Sequence, residues 1–323
     1  MPEVSVLMSV YNEKEHEMEE SIRSMIAQTY ADWELIIVND NPSSAALRSF
    51  LEEAEKWDHR IRIVHNPENI GLALSMNRAA EHSTGRYLAR MDADDISLPE
   101  RFQDEVDCLN SGKYDLVFTN FLKMDEAGTL LRKEPCSALH QDHDIVRKLC
   151  TANIIHHPTV MMTRDIFLKA GQYRDFPCAQ DYDLWLRLVN CGCRFHMLKE
   201  VALHYRIRSE SVSSRKRLQQ KLTLDYIRSL FVQRLRSGSD SYSREAYDRY
   251  IDQEKQRMQG GSDELEANRC KLQLAIECRR KRRYAQWLLW RVNVFLTSPI
   301  YRQSYWKKWR TKIAVWWYFN TKR

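Results

Sequence analysis

Three aspartates, Asp92, Asp94 and Asp95, stand close together directly after an apolar run. In an extended segment, residues i and i+2 point the same way, so we expect Asp92 and Asp94 to face one site. Two close carboxylates repel each other unless a cation or a proton lies between them. A divalent cation, Mn²⁺ or Mg²⁺, prefers oxygen ligands and adds phosphate oxygens, which suits a nucleotide diphosphate. The alternative is an acidic turn, with Asp95 capping the helix that follows at Pro99.

A second pair of acids, Asp181 and Asp183, opens an amphipathic helical pattern. Acids at positions i and i+2 of a helix do not share a face, so one can cap the helix while the other serves chemistry. A carboxylate in a dry cleft has a raised pKa and can act as a general base. The residue types alone leave open which of the two acids takes that role.

The elements that must position these acids alternate between apolar strands and amphipathic helices. Strands are predicted at residues 4–10, 34–38, 61–64 and 87–91, with a helix at residues 71–82. This alternation predicts βαβ units, and therefore an α/β fold whose mostly parallel central sheet is flanked by helices. Polar clusters follow three of the strands, at Tyr11–Glu13, Asp40–Asn41 and Asp92–Asp95. Ligands bind at the carboxyl ends of the strands in such sheets.

The composition is that of a globular protein with a large core: 323 residues, 43% hydrophobic and 29% charged, with a net charge of +6. The first residues predict a strand rather than a signal peptide, and no run approaches the roughly 18 apolar residues of a spanning helix. The eight cysteines are irregularly spaced, which favours reduced thiols over a disulfide or metal site. We therefore expect a protein on the cytoplasmic side.

From about residue 209, helical patterns take over, and the far C-terminal part is basic and rich in tryptophan. Glu277 is the only acid beyond Lys271, and six of the nine tryptophans lie there. Aromatic side chains beside lysine and arginine favour contact with an anionic membrane surface. The alternative is a helical hairpin that packs on the rest of the chain or on a second subunit. Nucleic acid is disfavoured as a partner, because no nucleic-acid-binding signature accompanies the charge.

Six ordered blocks carry a resemblance to a known family. They are VSVLMSVYNE, SIRSMIAQTYADWELIIVND, NIGLALSMNRAAEHSTGRYLARMDADD, HHPTVM, GQYRDFPCAQDYDLWLRL and HYRIRSESVS. In this order, from about Val4 to Ser213, they resemble the family 2 glycosyltransferases. The resemblance implies the GT-A fold, with a Rossmann-like sheet, in a catalytic domain of residues 1–208. Residues 209–323 would form a helical C-terminal extension.

The resemblance implies a donor site for a nucleotide sugar, with UDP as the expected nucleotide. It assigns to the nucleotide a set of residues at the strand ends and in one loop: Tyr11, Glu13, Asp40, Asn69 and Asp92. Asp40 would read the base, although Asn39-Asp40-Asn41-Pro42 departs from the family's Asp-Asp-Gly-Ser form.

The same resemblance implies a site for Mn²⁺ or Mg²⁺. Asp94 would be the direct ligand, Asp92 a contact shared with the ribose, and His204 a third ligand. Arg78, Arg90 and Arg206 are basic side chains that could approach the phosphates.

For the acceptor, the family places its general base at Asp181. The His156–His157 loop is expected to shape the acceptor site, and Trp185 either stacks on the acceptor or packs in the core. A single in-line displacement at the anomeric carbon would invert its configuration. The expected acceptor is a hydroxyl of a glycan or a lipid-linked oligosaccharide, as in bacterial surface-polysaccharide assembly on the inner face of the cell membrane.

Two other functions fit part of the pattern. A sugar nucleotidyltransferase would usually carry a glycine-rich phosphate loop near the N-terminus, and this sequence has none. A non-catalytic, membrane-associated scaffold would lose its acids, whereas Asp40, Asp92, Asp94 and Asp181 are all present.

Overall fold

The computed structural model describes residues 1–131, 135, 142–207, 217–257, 261–280 and 283–321. The chain divides into two compact units, Met1–Ser209 and Glu210–Arg323. The stretches of the sequence that lie outside the described residues include the end of the HYRIRSESVS block, Gln259-Gly260, and the basic pair Lys281-Arg282.

Over the described residues, eight strands of the first unit form one sheet. They are β1 (Val4–Val10), β2 (Trp33–Asn39), β3 (Ile61–His65), β4 (Tyr87–Arg90), β5 (Ile96–Ser97), β6 (Leu116–Met124), β7 (Val160–Thr163) and β8 (Phe195–Arg206). Their order across the sheet is β3-β2-β1-β4-β7-β6-β8-β5.

Most of the described strands run in one direction. β1 pairs in parallel with β2 and β4, β2 with β3, and β6 with β8. β7 is antiparallel to both β4 and β6, and β5 is antiparallel to β8. The predicted α/β fold with a mostly parallel sheet is confirmed, but the sequence pattern did not reveal the two reversed strands. Because β7 is reversed, the segment that leads into it lies at the same edge as the carboxyl ends of β1, β4 and β6.

Helices flank this sheet. In the first unit they are α1 (Glu15–Ile26), α2 (Ala45–Ala54), α3 (Leu72–Glu81), α4 (Arg101–Asn110), α5 (Asp142–Leu149), α6 (Arg164–Lys169) and α7 (Gln180–Asn190). Every residue of β2 is buried, as expected of a parallel strand that is covered on both faces. Gly85 allows β4 to lie against β1, because a Cβ at this position would come within 2.7 Å of the Ser5 backbone nitrogen.

The described part of the second unit is helical. Its helices are α8 (Arg217–Ser237), α9 (Arg244–Arg257), α10 (Gly261–Arg280), α11 (Tyr284–Thr297) and α12 (Pro299–Thr321). A short polar segment after Ser237 separates α8 from α9, with Gly238 at φ +80°. Among the helices of the described residues, none combines the length and the apolar character that crossing a bilayer requires.

Candidate active site

The acids that the sequence singled out meet at the carboxyl edge of the sheet, around Tyr205 near the end of β8. Burial raises the pKa of the Tyr205 phenol, and so does the negative charge of four nearby carboxylates, Asp92, Asp95, Asp94 and Asp181. Burial also raises the pKa of Asp181, and the charge of Asp92 adds to the effect. The two acidic segments, nearly ninety residues apart in the chain, therefore contribute to one site.

The segment Asp92–Asp95 is a turn, which corrects the expected extended conformation. The Asp95 N–H donates to the Asp92 carbonyl at 3.4 Å. Asp92 and Asp94 are half-buried, whereas Met91, Ala93 and Asp95 are buried. The two outer carboxylates are therefore accessible together, as the i, i+2 spacing predicted, although the backbone between them is not that of a strand.

Asp95 does not cap the following helix, because α4 begins only at Arg101. Its side chain is fully buried, and Oδ1 accepts the Arg206 N–H at 2.8 Å while Oδ2 has no hydrogen-bond partner. Burial raises the pKa of Asp95 well above its usual value, and the charges of Asp92 and Asp94 add to the effect. Asp95 is therefore a buried acid that accepts from the Arg206 backbone, whereas Asp92 and Asp94 are the accessible carboxylates of the turn.

The two arginines nearest this turn hold protein groups. Arg90 is 3% exposed, pairs with Asp92 and donates to the Leu7 carbonyl at 3.2 Å. Arg206, also 3% exposed, donates to the Asp94 carbonyl at 2.8 Å and to Glu20 Oε2 at 2.6 Å. The sequence left open that Arg206 approaches the phosphates; in the structure its side chain fastens the acidic turn to α1 and β8.

His204 does not join the acids, which corrects its expected role as a third metal ligand. Neighbouring residues of a strand point to opposite faces. The charges of the aspartates raise the pKa of Tyr205, so Tyr205 faces them and His204 faces the other way. Burial alone lowers the pKa of His204, whereas a nearby carboxylate would raise it. Within the described residues, no group of three His, Cys, Asp or Glu side chains is arranged to hold a metal.

The two acids of α7 have different surroundings. Asp181 is half-buried at the first turn of the helix, and its Oδ2 accepts the Asn153 amide at 2.8 Å. Burial is the largest influence on the pKa of Asp181 and raises it, while the bonds from Asn153 and from backbone N–H groups oppose that rise. Asp183 is fully buried and pairs with Arg187, whose Nε lies 2.8 Å from its Oδ2. Asp183 is thus structural, which leaves Asp181 as the accessible acid.

Two half-buried histidines, His156 and His157, lie just before β7. His156 packs against Phe121 and Tyr205, with ring centroids 4.1 Å and 5.4 Å away, and burial lowers its pKa to about 4. His157 Nε2 lies 2.8 Å from the Tyr173 hydroxyl, and burial lowers its pKa as well. These neutral rings form one wall near the acids.

Trp185 is fully buried, so it packs in the core and is not placed to stack on an acceptor.

The expected nucleotide-binding residues lie after β1 and β2. Tyr11 is 45% exposed, and its N–H donates to Glu13 Oε2 at 2.7 Å. Asp40 is buried and accepts three hydrogen bonds, from the Asn66 amide at 2.7 Å and from the N–H groups of Ile70 and Gly71 at 2.8 Å and 2.9 Å.

The carboxylate of Asp40 therefore fixes the loop that carries the exposed Asn69 and leads to Gly71, whose φ of +82° favours glycine. Direct contact between Asp40 and a nucleobase stays a prediction. Arg78 and Asn77 of α3 bind protein groups: Arg78 donates to the His65 carbonyl at 3.2 Å, and Asn77 exchanges two bonds with the Tyr173 backbone.

The acidic turn fits a hard divalent cation that is shared with a ligand. Asp92 and Asp94 offer two half-buried carboxylates beside the buried Asp95. Mg²⁺ and Mn²⁺ commonly use one or two protein carboxylates and complete their coordination with water and phosphate oxygens. Two ligands are therefore enough without His204.

Sequence reasoning missed Asn153 and Tyr205. Asn153 lies in an exposed loop, and nothing in its sequence neighbourhood signals a contact with α7. Tyr205 stood in the HYRIRSESVS block, and strand alternation relative to the inward-facing Leu203 could have indicated its direction.

A mixed α/β sheet with carboxylates at its carboxyl edge is the arrangement expected of a glycosyltransferase of the GT-A type. Residues 5–170 match the model of Glycosyl transferase family 2, and the chain belongs to this family. An uncharacterized glycosyltransferase of Methanocaldococcus jannaschii is 34% identical over 207 residues, covering 64% of this chain and 71% of the relative. The amylovoran biosynthesis glycosyltransferase AmsE of Erwinia amylovora is 32% identical over 218 residues, covering 66% and 79%.

Solved structures share the fold at lower identity. S. aureus TarS 1-349 in complex with UDP-GlcNAc has a TM-score of 0.55 and 14% identity, covering 78% of this chain and 70% of that one. The mannosyltransferase PcManGT from Pyrobaculum calidifontis, in complex with GDP-Man and Mn²⁺, has a TM-score of 0.56 and 17% identity, covering 97% and 85%.

Proposed function

We propose that this glycosyltransferase moves a hexose from a UDP-sugar to a hydroxyl of a glycan or a lipid-linked oligosaccharide, with inversion at the anomeric carbon. The observation that carries the proposal is the placement of Asp181: it is an accessible carboxyl with a raised pKa, within the electrostatic range of Asp92. Asp181 can thus accept a proton from the acceptor, while the Asp92–Asp95 turn faces the charged donor.

In the proposed reaction, Asp181 removes the proton of the acceptor hydroxyl as the oxygen attacks the anomeric carbon. Its raised pKa makes it a stronger base than an ordinary aspartate, which favours the transfer. The C–O bond to the nucleotide breaks as the new glycosidic bond forms, so one displacement inverts the configuration. A divalent cation held by Asp94 and Asp92 would stabilise the charge on the departing diphosphate. Arg206 keeps that turn in place through the Asp94 carbonyl.

The relatives support the choice of substrates. AmsE is named for amylovoran biosynthesis, and another relative, WbnJ of Escherichia coli, for O-antigen biosynthesis. We therefore assign this chain to the biosynthesis of a bacterial surface polysaccharide. The donor in the TarS complex is a UDP-sugar, whereas the PcManGT complex holds GDP-Man with Mn²⁺.

A donor screen tests the proposal. The purified full chain is incubated with UDP- and GDP-sugars, with and without Mn²⁺, and its melting temperature and nucleotide release are measured. We expect UDP-sugars to raise the melting temperature in the presence of Mn²⁺ and to be hydrolysed slowly. A preference for GDP-sugars would mean that the donor nucleotide is GDP rather than UDP. If no nucleotide bound or turned over, the non-catalytic scaffold would be the better account.

We further propose that residues 1–208 carry catalysis and that residues 209–323 bring the enzyme to an anionic membrane, as a peripheral protein on the cytoplasmic face. The support is the charge of the C-terminal part, where no acid follows Glu277. Such a surface is attracted to anionic lipids by about 1 kcal/mol per basic residue near the membrane. A lipid-linked acceptor would then be presented at the same surface.

A further inference from the structure

Helix α11 is apolar on two opposite sides. Its inward side includes the fully buried Val294 and the half-buried Trp287. At 100° per residue, the opposite side carries another apolar stripe. Its large members are 44–68% exposed: Leu288, Leu289, Val292 and Leu296. A helix at the surface of a soluble domain usually has one apolar stripe, which faces the core. The second stripe of α11 therefore calls for a partner outside the unit.

Helix α12 carries a second exposed stripe, and this one is aromatic. Its large exposed side chains, 42–67% accessible, fall within about one third of the helix circumference. They are Tyr305, Trp306, Trp309, Ile313, Trp316 and Trp317. The exposed Arg310 and Lys312 flank this stripe on its two sides. Tyrosine and tryptophan beside basic residues are typical of side chains that lie at the level of lipid headgroups.

We propose that the leucine stripe of α11 and the aromatic stripe of α12 insert into the surface of an anionic lipid bilayer. The inference deepens the membrane contact in the proposed function, on which it rests, by naming the elements that enter the lipid. Apolar side chains gain free energy when they leave water for the acyl region, and the flanking bases attract the anionic headgroups. The helices lie in the plane of the interface rather than across the bilayer.

The charges of these helices favour a lipid surface over the two other partners that an exposed basic helix could bind, a second copy of the chain and nucleic acid. A second copy that docked through the same two helices would bring their bases together, because neither α11 nor α12 contains an acid. Like charges in an interface oppose association. Nucleic acid would satisfy the bases but would leave the leucine stripe in water. A lipid surface satisfies both features.

The test uses the full chain and a variant with Leu288→Ser, Leu289→Ser and Leu296→Ser. The matched control carries Leu131→Ser, Leu168→Ser and Leu274→Ser, which are 43–53% exposed and lie outside both stripes. Co-sedimentation is measured with vesicles of phosphatidylcholine, alone or mixed with phosphatidylglycerol. Circular dichroism confirms that all three proteins are folded.

We expect the wild type and the control to bind the mixed vesicles, and salt to weaken that binding. The α11 variant should bind at least about tenfold more weakly, since it loses three of the four large apolar side chains of the leucine stripe. The inference is overturned if the α11 variant binds as well as the wild type, or if the wild type ignores the mixed vesicles. It is also overturned if light scattering shows a dimer that the α11 variant breaks into monomers.

Measuring UDP-sugar hydrolysis without vesicles tests the proposed chemistry separately from this inference. The α11 variant should hydrolyse the UDP-sugar as fast as the wild type. If the wild type did not bind vesicles but hydrolysed the UDP-sugar, only the membrane inference would fail. If it bound vesicles but did not hydrolyse the UDP-sugar, only the proposed glycosyl transfer would fail.

Discussion

The Asn153 side-chain amide donates a hydrogen bond of 2.8 Å to Oδ2 of Asp181. This bond joins the loop after α5 to the first turn of α7. It opposes the rise in the pKa of Asp181 that burial causes, because a donor to the ionised carboxylate stabilises the charged form. The same bond fixes the direction of a carboxylate that, as a general base, must meet an acceptor hydroxyl. Asn153 is therefore a positioning residue for Asp181.

We predict that Asp181→Asn lowers kcat by about 10²–10⁴-fold, the usual contribution of a positioned general base. The amide keeps the size of the side chain but cannot take the acceptor proton. Binding of UDP, measured by calorimetry, should not change. The control is Asp165→Asn, an exposed acid in the first turn of α6. Equal loss in both variants, or normal turnover in Asp181→Asn, would exclude Asp181 as the base.

Removal of the positioning bond should move the pH profile. In Asn153→Ala the pKa of Asp181 rises further, so the base stays protonated up to a higher pH. Activity requires the deprotonated form, and the acidic limb of kcat should therefore shift upward by about one pH unit, given the strength of a hydrogen bond to a charged group. The exposed Asn293 of α11 provides the control, Asn293→Ala. A lower kcat with an unmoved acidic limb would mean that Asn153 only supports the loop.

Metal dependence is best tested at Asp94. Replacing Asp92 would also leave the buried Arg90 without its acid, so a loss of activity could reflect folding. In Asp94→Asn, the Mn²⁺-dependent increase in melting temperature with UDP should disappear, while UDP without metal behaves as in the wild type. Asp107→Asn, an exposed acid of α4, should keep the full increase. A metal-dependent increase that survives in Asp94→Asn would remove Asp94 as the ligand.

The sequence predicted the parallel half of the sheet because β1, β2 and β4 are runs of apolar residues that end in polar clusters. It did not predict that β7 is antiparallel to its neighbours, since the four residues of this strand carry no mark of its direction. The same limit applies to His204 and Tyr205: a strand assignment does not say which face is inward, and an error of one residue exchanges the faces.

The acids illustrate the same point for the candidate site. Spacing indicated that Asp92 and Asp94 act together, and they are the half-buried pair. It could not show that Asp95 is sealed against the Arg206 backbone, or that Asp183 is taken up by Arg187, because both contacts join segments that are set by the tertiary fold.

Asp183 should matter for stability rather than for chemistry. Its carboxylate is fully buried, and Arg187 in turn donates to the Gln172 carbonyl, so the pair fastens the loop before α7 to the helix. We predict that Asp183→Ala lowers the free energy of unfolding by about 3–5 kcal/mol, because it strands a buried guanidinium. Chemical denaturation, followed by tryptophan fluorescence, measures the change.

The double variant Asp183→Leu with Arg187→Met separates lost charge pairing from lost packing. Replacing both partners of a buried ion pair by apolar side chains of similar volume often restores stability, because no charge is left without its partner. The double variant should therefore be more stable than Asp183→Ala. Asp181→Asn serves as the contrast within the same helix: it removes a charge that burial disfavours, so its free energy of unfolding should not fall. If Asp181→Asn were destabilised as much as Asp183→Ala, both acids would be structural, and the base would have to lie elsewhere.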